Sequence, residues 1–151
     1  MATIINADTS DGLKLTSDTS GQIDFQSAGS TKALIDTSGN LKFNSGYGSV
    51  VTGFGVRAWV NFNGTGTLAI RDSGNVSSVT DNGTGNYTVN FSTNMPDINY
   101  CVASHGAGGS SGIPIVGSST TTTLAVGSFL VRTVDDGSFA NLGMVCVAVF
   151  R

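Results

Sequence analysis

VRAWVNF, residues 56–62, is the stretch whose reading decides the fold. As an extended chain it sets Val56, Ala58, Val60 and Phe62 on one face and Arg57, Trp59 and Asn61 on the other. A period of two with one apolar side marks a strand that buries a single face. NYTVNF at 86–91 repeats the pattern, with Tyr87, Val89 and Phe91 against Thr88 and Asn90. Further strands are expected near 67–72, 75–80, 99–104, 113–117, 120–134 and 144–150. The last of these, MVCVAVF, is apolar on both faces, as at the centre of a sandwich or at a subunit interface.

Between these runs stand residues suited to tight connections. Asn63-Gly64 and Asn82-Gly83 tolerate the positive φ of hairpin turns, and Met95-Pro96-Asp97 places a proline where it removes no ladder bond. All ten acidic residues are Asp, and Glu, the good helix former, is missing from the chain. No window carries a 3.6-residue apolar period with start and stop signals. The class is all-β. About seven to eight strands from residue 56 to 151 imply an antiparallel β-sandwich or jelly-roll-like head.

Residues 1–46 follow another grammar. Apolar doublets recur at intervals of about ten residues: Leu13/Leu15, Ile23/Phe25, Leu34 with Ile35, and Leu41/Phe43. Turn segments such as SDTSG and DTSG separate them. A strand with two apolar residues cannot build a core alone. Three copies wrapped about one axis, each donating Leu13, Leu15, Ile23, Phe25, Leu34, Leu41 and Phe43, solve this, so a repetitive β stalk that trimerises the chain is expected. The competing reading is a flexible tether. A Gly-rich bridge over 47–55 leads to the head at 56–151.

Composition bounds the partners. Hydrophobic residues make up 39% and charged ones 11%, with a net charge of -3. A disordered chain lacks that much apolar surface, and seven dispersed Lys/Arg offer no basic footprint for nucleic acid. No apolar run is long enough to span a bilayer as a helix, and the start lacks the layout of a signal peptide, so synthesis in a cytoplasm without export is expected. Cys101 and Cys146 lie in apolar runs and read as buried thiols, a bridge being disfavoured in a reducing compartment.

Two stretches carry a resemblance. RAWVNFNGTGTLAIRDSGNVSSVTDNGTGNYTVNFSTNMPDINYCV, residues 57–102, resembles the C-terminal domain of phage tail fibre proteins found in tailed phages of marine bacteria and cyanobacteria. INADTSDGLKLTSDTSGQIDFQSAGSTKALIDTSGNLKF, residues 5–43, resembles the repetitive shaft of such proteins. The resemblance implies a homotrimeric virion fibre, located on the virion, that recognises the host surface. It supplies no active-site residue. The chain is much shorter than most tail fibres, which leaves a capsid or tail decoration or connector role as the alternative, with Arg57, Trp59 and Arg71 as docking residues.

Chemistry is sparse. Catalysis needs convergent titratable groups, and His105 is the single histidine, placed before GAGGSSG. Ser104-His105 adjacency is no triad, and a glycosidase would need paired carboxylates along a groove. Asp135-Asp136-Gly137 and Asp81-Asn82-Gly83 read as turns, not calcium loops. Neither an enzyme nor a metal or cofactor is expected; an axial metal would need one His105 from each of three chains. Strand counting places the loops 63–66, 81–85 and 105–112 at the end of the head away from the stalk. Asn63, Thr65, Asp81, Asn82, Asn86 and His105 are therefore the candidate contacts for a host surface glycan. Expected partners are the chain itself, other virion proteins and that glycan.

Overall fold

The computed structural model describes residues 21–44, 48–108, 113–116 and 124–151. Among them every regular element is a strand. The chain divides into two compact units, Met1–Gly53 and Phe54–Arg151. The division falls inside the glycine-rich stretch read as a bridge, part of which is a strand of the first sheet.

The first unit holds β1 (Ile23–Ser27), β2 (Ser30–Ile35), β3 (Leu41–Phe43) and β4 (Val51–Thr52), an antiparallel sheet in that order. Asp36 makes the β2–β3 turn. Its Oδ1 accepts the Ser38 and Asn40 amides at 3.0 and 2.9 Å, and its Oδ2 pairs with Lys42 Nζ at 2.9 Å. Lys42 first, then these Asn40 and Ser38 donors, hold the Asp36 carboxyl well below the usual carboxylate range. Because the folded state holds the lower pKa, the turn's contribution is complete above the ordinary Asp value and is lost as pH falls through the folded one. Acidification below about pH 4 is therefore expected to accelerate amide exchange at Ser38 and Asn40 beyond the intrinsic acid trend. Asp36→Ala should remove that pH dependence.

The second unit is a sandwich-like pair of antiparallel layers. One contains β5 (Val56–Asn63), β6 (Ala69–Gly74), β9 (Cys101–Ala107) and β14 (Met144–Phe150), in the order β6-β5-β14-β9. The other contains β7 (Val76–Asp81), β8 (Asn86–Phe91), β10 (Ile113–Val116) and β12 (Ser128–Asp135), in the order β10-β12-β8-β7. The short β11 (Leu124–Ala125) and β13 (Ser138–Phe139) pair with β12. Of the strand expected over 120–134, residues 120–123 lie outside the described residues, and the remainder is broken by a turn at Val126-Gly127. That turn feeds the neighbouring strand end, since Val126 O accepts the Met95 amide and Gly127 O the Phe91 amide. Pro114 sits on β10, at the edge of its sheet, where a missing N–H leaves no central ladder bond unmade.

The alternating pattern explains the core. Val60, Phe62, Val145 and Val149 of one layer face Tyr87, Val89, Phe129 and Val131 of the other, all essentially fully buried. Each such side chain contributes about 1.5–3 kcal/mol by leaving water. Phe62 and Tyr87 meet edge to face, 5.1 Å between centroids, which joins the layers. Val56, counted with the inward face in sequence, is half exposed instead. A bulge at Val149/Phe150 pairs Phe150 with Val56 and turns it outward.

The chain passes from one layer to the other through a single residue, Asn75, at φ 54°. Its Nδ2 donates to Arg57 O at 3.2 Å and Thr93 O at 3.1 Å, and its Oδ1 accepts the Thr93 amide at 2.7 Å. Asparagine tolerates the left-handed region and supplies these bonds together. Asn75→Ala should lower stability by about 2–3 kcal/mol, the combined loss of near-surface hydrogen bonds and a favoured conformation. Asn75→Gly should recover the conformational part alone, as read from urea midpoints.

Candidate functional site

The stalk candidates come first in the chain. Leu13 and Leu15 lie outside the described residues. Pairing sets Ile23 against Ile35, Phe25 against Ala33, Ile35 against Leu41, and Phe43 against both Ala33 and Val51. One face of the first sheet therefore carries Ile23, Phe25, Ile35, Leu41, Phe43 and Val51. Leu34 does not join it: it pairs with Asp24 and Lys42 on the opposite face. The doublet Leu34-Ile35 offered two choices, and register selects Ile35. Among the described residues of its unit the apolar face stays open, with Phe25 42%, Leu41 53% and Val51 54% exposed.

The loop candidates converge on one end of the second unit. Gly64 N donates to Leu142 O at 2.9 Å, and Tyr87 Oη bridges Gly64 O at 3.2 Å and Asn141 Oδ1 at 2.8 Å. Asn141 Oδ1 also accepts the Gly85 amide at 2.7 Å. Asn63, Thr65, Asp81, Asn82 and Asn86 flank this tie. Their polar groups are largely committed to their own turns. Asn63 Oδ1 accepts the Thr65 amide and hydroxyl, Asp81 Oδ1 the Gly83 amide, and Asn82 Nδ2 donates to Thr88 Oγ1. Asn86 Oδ1 is buried without a hydrogen-bond partner. Tyr87 and Asn141, which hold this end together, gave no signal in sequence beyond Tyr87's place in an alternating strand. Burial first, and then Asp81, pushes the Tyr87 hydroxyl pKa up, so it stays a neutral donor.

His105 stands apart from these loops. It lies within β9, opposite Cys146, with its side chain on the outer face of the β6-β5-β14-β9 layer. Of the loop expected over 105–112, residues 105–107 belong to β9, and residues 109–112 lie outside the described residues.

That outer face carries an open trough. Across the strands, Gly74, Trp59, Ala148 and Ala103 form one row, and Asp72, Asn61, Cys146 and His105 the next. The Trp59 indole leans over Gly74, where an added Cβ would come within 2.4 Å of its Nε1. Gly74→Ala should displace the indole at little cost, because the ring is 40% exposed and free to move; a shifted tryptophan emission maximum with an unchanged urea midpoint is the expected result. Between Trp59 and His105 the small side chains of Ala103, Cys146 and Ala148 floor a trough of about 620 Å³. No known protein family, curated protein or solved structure matches the chain. The chemistry of this face must be read from its residues alone.

Trp59 to Ala103 spans two strand spacings, about 10 Å. Beside the trough a smaller hollow of about 280 Å³ is lined by Phe54, Asn99, Cys101, Phe150 and Arg151. Charge lies toward the β6 edge and the margins, where Asp72 Oδ1 accepts the Ser73 amide at 2.8 Å. Arg71 donates to Asn61 Oδ1 at 3.1 Å, Phe62 O at 3.2 Å and Gly143 O at 2.5 Å, and Arg151 pairs with Asp97. On this face the Cys146 thiol and the His105 imidazole stand across from each other on neighbouring strands, beside the small apolar side chains of Ala103 and Ala148. Among the described residues no three His, Cys, Asp or Glu side chains cluster as metal ligands.

The cysteines were expected to be buried. Cys101 is instead exposed and Cys146 partly so, both on this outer face. Cys101 pairs with Phe150 and Cys146 with His105, four residues apart along adjacent strands. That offset is about 13 Å, beyond the roughly 7 Å Cα separation a disulfide spans. No bridge within one chain can form without remaking the sheet.

Proposed function

We propose that the chain is a subunit of a trimeric, fibre-type appendage of a phage virion, a structural and binding part without catalytic activity. The observation that carries this reading is the first sheet, whose apolar face of Ile23, Phe25, Ile35, Leu41, Phe43 and Val51 is left largely open by the described residues. A sheet so small gains stability only when neighbours cover that face. Three copies facing one axis would do so, and the resemblance of residues 5–43 and 57–102 to phage tail fibre proteins supports that number. In this reading the protein acts on the virion, contacting other virion proteins and, at its free end, a host surface glycan.

A connector or decoration role is the second reading, favoured by one specific observation. Asn63, Asp81 and Asn82, the groups expected to meet a glycan, are engaged in their own turns. Light scattering on the purified full chain is expected to give three times the 15.3 kDa chain mass. A single-chain mass would end the trimeric reading. Virions imaged with a label against this protein should then show it at fibre tips for host recognition, or along the capsid or tail flank for a connector.

A further inference from the structure

Along β14 and β9 the outer face of the β6-β5-β14-β9 layer is largely apolar where a solvated sheet face would alternate to polar, with His105 on β9 and Asn61 and Asp72 toward the β6 edge. Strand β14 shows this most plainly. Its inward residues Val145, Val147 and Val149 are buried in the sandwich, yet its outward residues Met144, Cys146, Ala148 and Phe150 are apolar too. Antiparallel sheets with one wet face carry polar residues there. Around β14 the same face adds Trp59, Cys101 and Ala103, and the hollow adds Phe54, 69% exposed. Contiguous apolar surface of this kind marks an interaction site.

We infer that this face is covered by a second copy of the same chain in the assembled protein. The inference rests on the trimeric reading for the number of copies, and on this face for where they meet.

Two arguments select another copy as the occupant. The first is area. Four strands about 4.8 Å apart and about seven residues long present a flat footprint of roughly 450 Å², a little over half of the roughly 800 Å² that each partner contributes to a standard interface. A small ligand seated in the trough would leave Phe54, Cys101 and Phe150 still in water. The second is charge. The strands β14 and β9 carry no Lys, Arg, Asp or Glu on this face, and the marginal Arg71, Arg151 and Asp97 are engaged within the chain. The β14–β9 half of the face therefore adds no like-charge repulsion when another copy covers it, and it offers a charged partner only Asp72 toward the β6 edge. The small floor of Ala103, Cys146 and Ala148 beside the raised Trp59 also gives relief into which a neighbour's side chains can fit.

The exposed thiol of Cys101 reports on this directly. The purified full chain, with its mass measured in parallel, is treated with a bulky maleimide under native and denaturing conditions. If the face is an interface, Cys101 in the assembled protein should react at least about tenfold more slowly than in the unfolded chain, because reaction then requires opening. Assembled protein whose Cys101 reacts at the unfolded rate would overturn the inference and leave the trimeric reading standing. A single-chain mass would overturn both. A second arm uses Ala103→Arg, which points to solvent in the single chain and should leave its β-sheet circular dichroism intact. With another copy against this face, the arginine should restore rapid labelling of Cys101, whether or not the first unit still holds the chains together. Continued protection of Cys101 in the assembled variant would also overturn the inference.

Discussion

Gly85→Ala is expected to lower the stability of the second unit by about 3–5 kcal/mol, much of what a domain of this size possesses. Gly85 is buried at φ 62°, its amide donating to Asn141 Oδ1 and its carbonyl accepting the Thr133 amide. An added Cβ would lie 2.5 Å from Thr133 O and 2.8 Å from Ala140 N. Both are backbone atoms, so no side chain can swing aside, and relief requires moving the segment that Tyr87 and Asn141 tie down. Gly137 separates this steric effect from the conformational one. It has φ 78° with nothing within 4 Å of its virtual Cβ, so Gly137→Ala should cost only the left-handed strain, about 1–2 kcal/mol. Urea midpoints of the two variants measure the difference; equal shifts would show that the loop end yields to the clash.

The contrast between these glycines is invisible in sequence, where both follow turn-forming residues. What was legible is what depends on local period. VRAWVNF and NYTVNF carry their buried faces in the order of their residues, and the core uses Ala58, Val60, Phe62, Tyr87, Val89 and Phe91 as that order requires. Register was not legible, because it depends on a partner strand far along the chain. The Leu34-Ile35 doublet shows the consequence: either residue could face the apolar side, and only pairing with Leu41 assigns Ile35. Val56 fails for a related reason, since one bulge inverts the alternation at the end of β5.

The candidate site was legible in part. Trp59 and Arg71 were visible as docking candidates; Trp59 lines the trough and Arg71 holds its Asn61, but its floor comes from Ala103, Cys146 and Ala148. Small residues in apolar runs look like ordinary core until the sheet order shows that β14 and β9 turn them outward. His105 was drawn toward the loop by the glycines after it, although β9 continues through two more residues.

Phe25→Asp combined with Phe43→Asp is expected to abolish assembly of the full chain. In a single chain both side chains are 42% exposed, so the substitutions should cost that chain little, within about 0.5 kcal/mol for each surface position. In a core shared by three copies the same change buries six unpaired carboxylates. Each costs several kcal/mol even after relaxation, far more than the association of such small sheets supplies. Light scattering should therefore read one chain in place of three, while the urea midpoint of the second unit stays where it was. The register provides the control. Leu34→Asp adds the same charge one residue from Ile35, but on the face that carries Asp24 and Lys42, so it should leave the mass at three chains, whereas Ile35→Asp should reduce it. Equal effects of Leu34→Asp and Ile35→Asp would mean that the two faces are not distinguished by assembly. An unchanged mass for the Phe25/Phe43 variant would mean that this segment is a tether, with the chains held elsewhere.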